Sequence, residues 1–235
     1  MRNTLPIFAL LLPTPALLAT VLTFENTTGT GFGNGCCVPV AYGDRVASTV
    51  DAIGSYLQGN GYTPNIRVSQ GRFEMSGIWS SEQLLQSFDA NYGDLTNVAY
   101  TGGLVTGAVG LKFEADPGWL VRINQVDFAG WNRQDRPIRL QVFDELGAPV
   151  ADSGLVVAPG KGFGTFSPNV SGSILYLVAL NGVSGSDFNN GGIDNVNFDQ
   201  VAQVAVPEPT AIVTAGLGLL IFGRAGQRRS KPKAK

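Results

Sequence analysis

The sequence contains no histidine. Without an imidazole, Ser-His-Asp and Cys-His catalysis are excluded, and so are histidine-based zinc sites. Cysteine is almost as scarce: Cys36 and Cys37 are the only two, and they are adjacent. Neighbouring cysteines match ordinary disulfide geometry poorly, so a vicinal bond, an intermolecular bond and two free thiols all stay open. No basic partner stands near to activate a thiolate, which favours a structural role over catalysis. Charged residues make up only 14% of the chain. No Gly-Lys-Ser/Thr phosphate loop occurs, and the pairs Gly102-Gly103 and Gly191-Gly192 read as turns.

The charge that is there is unevenly spread. Six of the sixteen basic residues fall in the last twelve positions, among them Arg224, Arg228 and Arg229. Setting those six aside with Arg2 and Glu208, the rest keeps nine basic and seventeen acidic residues, a body near −8. A nucleic-acid partner would need a basic face, and nothing here supplies one.

Between the ends the chain reads as strands. Gly 31, Pro 13 and a hydrophobic share of 44% suggest short strands, tight turns and enough apolar matter for a core. Leu111-Lys112-Phe113-Glu114-Ala115 alternates as a half-buried strand does. Segments 120–128 and 138–143 follow suit, and 193–198 is the last candidate strand. Ile174-Leu175-Tyr176-Leu177-Val178-Ala179-Leu180 is continuously apolar and predicts a central strand buried on both faces. Turn signals separate these segments at Asp116-Pro117-Gly118, Leu146-Gly147, Pro159-Gly160 and Asn181-Gly182. The expected fold is all-β, an antiparallel β-sandwich of jelly-roll type spanning residues 21–204. The stretch 81–95 stands apart: Ser80 with Gln83 fits a capping box for one short helix, or a surface loop.

Both ends look like addresses. Arg2, an apolar run over 5–12, and Pro13-Thr14-Pro15-Ala16-Leu17-Leu18-Ala19 fit a secretory signal peptide over 1–19, cut after Ala16 or Ala19. At the other end, Val206-Pro207-Glu208-Pro209 holds the backbone extended. An uncharged Ala/Gly/Leu/Ile-rich stretch over 211–223 follows, then the basic run that prefers the cytoplasmic side. Those 13 residues span about 20 Å as a helix, against about 30 Å of hydrocarbon, which suits a transient handle better than a permanent anchor.

Pro207-Glu208-Pro209, the short hydrophobic stretch and the arginine-rich run together resemble the PEP-CTERM sorting signal of bacteria over residues 205–235. The resemblance implies recognition by an exosortase, a membrane-embedded cysteine protease, and removal of the tail near the motif. It further implies placement on the surface or in an exopolysaccharide matrix, after transient anchoring in the inner membrane. Tyr42-Gly43-Asp44-Arg45-Val46 and Tyr62-Thr63-Pro64-Asn65 look like recurring pieces of such ectodomains, with no activity attached. Leu22-Thr23-Phe24-Glu25 and Gly192-Ile193-Asp194-Asn195-Val196-Asn197-Phe198 resemble the first and last strands of carbohydrate-binding jelly rolls. In that family the two ends pair, which implies a structural calcium ion on Glu25 and Asp194, with backbone carbonyls completing the shell.

No catalytic residue is assigned. A glycosidase needs only two carboxylates, and Glu74, Glu82, Glu114 and Glu145 are candidates, but nothing in the sequence brings a pair together. Trp79, Trp119, Trp131, Tyr62 and Tyr92 could stack on sugars if exposed; core or rim is the commoner fate of such rings. The leading expectation is a non-enzymatic surface or matrix protein needing no cofactor. A carbohydrate-binding module retaining exopolysaccharide comes second, and a carboxylate-dependent glycan-active enzyme third.

Overall fold

The computed structural model describes residues 19–25, 38–47, 52–53, 56–57, 60–74, 78–88, 90–101, 108–181 and 191–203. Residues 1–18 of the expected signal peptide over 1–19, Cys36, Cys37, Val206, Pro207, Glu208, Pro209, the stretch 211–223 and Arg224, Arg228 and Arg229 lie outside the described residues.

In chain order the strands begin with β1 (Thr20–Leu22), β2 (Ala52–Ile53), β3 (Tyr56–Leu57), β4 (Ile66–Phe73) and β5 (Trp79–Ser81). Next come β6 (Leu85–Phe88), β7 (Val98–Thr101), β8 (Ala108–Ala115), β9 (Trp119–Gly130) and β10 (Arg136–Asp144). The last are β11 (Pro149–Asp152), β12 (Val156–Ala158), β13 (Gly164–Phe166), β14 (Val170–Gly172), β15 (Ile174–Asn181) and β16 (Gly191–Ala202). One sheet runs β13-β9-β16-β7-β6, with β14 also on β9 and β1 on β16. The second runs β11-β10-β15-β8-β4-β5, with β12 also on β10. All pairs are antiparallel. The described chain is therefore an all-β sandwich, as its alternation predicts, and contains no helix.

The two inner faces make one core. Leu111 and Phe113 of β8, Ile138, Leu140 and Val142 of β10, and Leu175 and Leu177 of β15 meet Ile123 and Val126 of β9 and Val196 and Phe198 of β16. Phe113 and Phe198 touch across the sandwich with ring centroids 5.0 Å apart. Each such side chain contributes about 1.5–3 kcal/mol by leaving water. β15 is continuously apolar because both of its faces are covered. Its other face, with Tyr176 and Val178, packs in a separate cluster with Phe73 and Phe143.

Two expectations are corrected. No helix follows Ser80: that residue lies in β5 opposite Arg72, and the chain returns to strand at Leu85. The backbone N–H groups of Leu84 and Leu85, which a helix would have to satisfy, donate to Oε1 of Gln70 at 2.9 and 2.6 Å. The opening strand also sits two residues early. It ends at Leu22, and Phe24 turns out of the strand with φ 52°.

Candidate functional site

β1 pairs with β16, placing Leu22 opposite Val196 and Thr20 opposite Phe198. First and last strands are thus neighbours, which carries residues 23–25 toward Asp194. On its other flank Asp194 stands opposite Asp127 of β9. A bulge between Asp194 and Asn197, with Asn195 at φ 48°, re-aims this part of β16. Asp194 and Asp127 are each 4% exposed, whereas Glu25 is exposed.

Burial pushes the Asp194 carboxyl up to about 8. Its hydrogen bond from the Asn195 backbone N–H (2.7 Å) opposes that rise, and repulsion by Asp127 and Glu25 adds to it. Tyr42 is raised as well, chiefly by burial, with Asp194 contributing. Its hydroxyl accepts the Phe24 N–H at 2.8 Å and so anchors the segment leading to Glu25. Asp127 is served differently. Oδ1 accepts Thr165 Oγ1 (2.8 Å) and Gln125 Nε2 (3.1 Å), and Oδ2 accepts Asn195 Nδ2 (3.1 Å).

The donor set at this junction is all oxygen, which suits a hard cation in kind. Asp127, however, already has protein donors on both oxygens. Among the described residues no three His, Cys, Asp or Glu side chains are grouped to hold a metal ion. A cation on Glu25 and Asp194 would have to draw the rest of its shell from carbonyls and water.

Of the other candidates, Tyr92 and Trp131 meet with ring centroids 5.1 Å apart, and the rest are dispersed. Trp119 opens β9 and Trp131 follows its far end, while Trp79 sits in the other sheet against Tyr176. All three are half-buried, Tyr92 is buried beside Phe88, and Tyr62 is 47% exposed. The five do not form a row on one face. Glu82 pairs with Arg72 at 3.3 Å, Glu114 with Lys112 at 2.8 Å, and Glu145 accepts Ser173 Oγ at 2.9 Å. Each of these three carboxylates is thus engaged with a separate partner. Sequence reasoning missed Asp127, whose outward place on an alternating strand reads as an ordinary solvated carboxylate.

No family model matches the chain, and no curated protein matches it. Among solved structures it is similar to an arabinose-bound GH51 α-L-arabinofuranosidase, with TM-score 0.33 and 13% identity, covering 80% of this chain and 31% of that one. An isomalto-dextranase of Arthrobacter globiformis T6 complexed with panose gives TM-score 0.32 and 10% identity, covering 77% and 33%. An infectious bursal disease virus structure gives TM-score 0.23 and 12% identity, covering 81% and 54%. The chain thus spans about a third of the first two proteins, and at these scores the likeness assigns neither family nor activity.

Proposed function

We propose that this chain is an exported bacterial cell-surface or extracellular-matrix protein, sorted and cut by an exosortase at its tail. Its jelly-roll-like body is structural or adhesive and performs no catalysis. The observation that carries this reading is the order of Pro207-Glu208-Pro209, the uncharged apolar stretch 211–223 and the basic run with Arg224, Arg228 and Arg229. An extended accessible peptide, a short membrane handle and a cytoplasmic-side charge cluster are what a membrane-embedded protease needs in order to hold and cut a substrate. Within the same reading, Glu25 and Asp194 take a calcium ion that ties the two chain ends together. Support for this comes from the repulsion among the carboxylates around Asp194, which a cation would relieve.

Intact-mass analysis of surface material from the native host tests the reading. Mature protein is expected to lack the residues after the motif, and Glu208→Ala is expected to accumulate as an uncut inner-membrane form. Mature surface protein that still ends in Lys235 would overturn it.

A further inference from the structure

The body carries nine basic residues, all of them described. Six are neutralised in ion pairs: Arg45 with Asp116, Arg67 with Glu114 and Asp116, Arg72 with Glu82, Lys112 with Glu114, Arg122 with Asp199, and Arg139 with Asp152. The remaining three, Arg133, Arg136 and Lys161, make no ion pair among the described residues, and Nε of Arg136 is buried without a hydrogen-bond partner. In a body with almost twice as many acids as bases, three free cations at scattered positions would find carboxylates readily. Instead they share one place.

That place is one end of the sandwich, where the loop after β9 meets the loop after β12. β9 and β16 run from Trp119 opposite Ala202 to Gly130 opposite Gly191. The cations therefore sit about 35–40 Å from Ala202, at about 3.4 Å per residue along β9. The loop is clamped from both sides. Arg133 N–H donates to Asn91 O at 3.2 Å, Gly130 N–H to Pro159 O at 2.9 Å, and Asp94 N–H to Gly162 O at 3.1 Å. Asn132 and Arg133 are held in the left-handed region at φ 58° and 52°. A Cβ at Gly160 would stand 2.4 Å from the carbonyl group of Arg133, and one at Gly93 would stand 2.0 Å from Gly162 O. The strained Arg133 backbone is thus enforced by its neighbours, which is the condition under which strain persists at a working site. Arg133 forms the wall between two shallow depressions of about 370 and 300 Å3. The first is lined with Gln134, Asp135 and Lys161, the second with Asn91, Asp94 and Thr96.

We propose that this loop cluster binds an acidic saccharide, with Arg133 and Lys161 holding the carboxylate of a uronic-acid residue and neighbouring side chains taking its hydroxyls. The class follows from the mixture of groups. A guanidinium and an ammonium without an ion-pair partner among the described residues supply charge-assisted donors for a carboxylate. Asp135 keeps Oδ1 on the Gly160 N–H at 2.9 Å, and with Asp94, Asn91 and Gln134 it offers acceptors that a polyol requires. These carboxylates disfavour a polyphosphate, which is densely charged and brings no hydroxyls to them, more than a polyuronate, which carries one charge per sugar and has hydroxyls to donate. Two depressions sharing one cation suit adjacent residues of a polymer better than a single small anion. The assignment deepens the surface-protein reading, from which it takes only the presence of such a polymer outside the cell.

Titration calorimetry on the purified full chain, with calcium chelated, tests it. The probes are tetragalacturonate, its uncharged methyl ester and inorganic phosphate. Tetragalacturonate is expected to bind, with affinity falling as salt rises. Lys161→Ala should weaken binding about fivefold to tenfold, in the range of one partly exposed ionic contact. Arg133→Gly, which keeps the left-handed backbone, should do the same, and Arg67→Ala should change nothing. Binding of the ester as tight as the acid, phosphate as tight as the tetramer, no binding at all, or a Lys161→Ala affinity equal to the parent would each overturn the proposal. None of these outcomes touches the sorting reading, which stands or falls on the mass of the mature tail.

Discussion

At the scale of single residues, Asp194 sets the pH response of the body. An ordinary aspartate titrates near 3.9, whereas in the fold this one is held up to about 8. Between those values the folded chain keeps a proton that the unfolded chain has released. Its stabilising contribution is therefore complete below about pH 4 and is lost as pH rises to about 8, with a slope approaching about 1.4 kcal/mol per pH unit. Asp194→Asn has nearly the same shape and does not titrate. With chelator present, the variant is expected to unfold at a higher temperature than the parent at pH 8.5, and the gap should close toward pH 5. Calcium must displace the same proton, so its stabilisation of the parent should be larger at pH 8.5 than at pH 6 and absent from the variant. Thermal melts of both proteins at the three pH values check this, and parallel pH profiles would refute the assignment.

Between elements, the joints depend on buried polar side chains. Gln70 of β4 is wholly buried. Its Nε2 donates to Val38 O and to Pro39 O, the latter at 3.0 Å, and its Oε1 accepts Leu84 N–H and Leu85 N–H. One amide thus fastens the 38–40 segment and the start of β6 to the second sheet. Gln70→Leu would leave the buried Leu85 N–H without its partner and take a donor from Val38 O, and a loss of about 1–3 kcal/mol is expected from urea unfolding. A loss below about 1 kcal/mol would mean that water replaces the amide. This joint also marks what could be read beforehand. β8, β9, β10, β15 and β16 were legible because each is long, with its inward side chains repeating over several periods. β15 announced even its double burial. β11 to β14 span three or four residues each, too few for a period to register. β4 was hidden because polar Gln70 and small Gly71 occupy the stretch where hydrophobic alternation should have continued. In the candidate site, Glu25 and Asp194 were reachable through the pairing of chain ends, but Asp127 was not, since its role arises only across the β9–β16 ladder. Arg133, Arg136 and Lys161 were equally opaque. Their significance lies in the carboxylates they fail to meet, and that depends on three-dimensional neighbours.

For the molecule as a whole, the decisive strand is made last. β16 lies inside its sheet, laddered to β9 along most of its length and joined on the other side by β1 and β7. It also delivers Ile193, Val196 and Phe198 to the core, each worth about 1.5–3 kcal/mol. A chain emerging from its N-terminus can form the second sheet early, since β4, β8, β10 and β15 all precede residue 182. The first sheet stays split until β16 arrives, leaving β9 and β7 with open edges. Native stability of a domain this size is only about 5–15 kcal/mol, so losing these three side chains together with a central ladder removes a sum of the same size. A body ending at residue 190 is therefore expected to show no cooperative thermal transition and to expose apolar surface to a dye such as ANS. A synthetic peptide of residues 191–203 added in trans should restore the transition, because the vacant slot offers ladder partners on both sides. If the truncated body melts cooperatively on its own, or the peptide leaves it unchanged, β16 is not the strand that completes the fold.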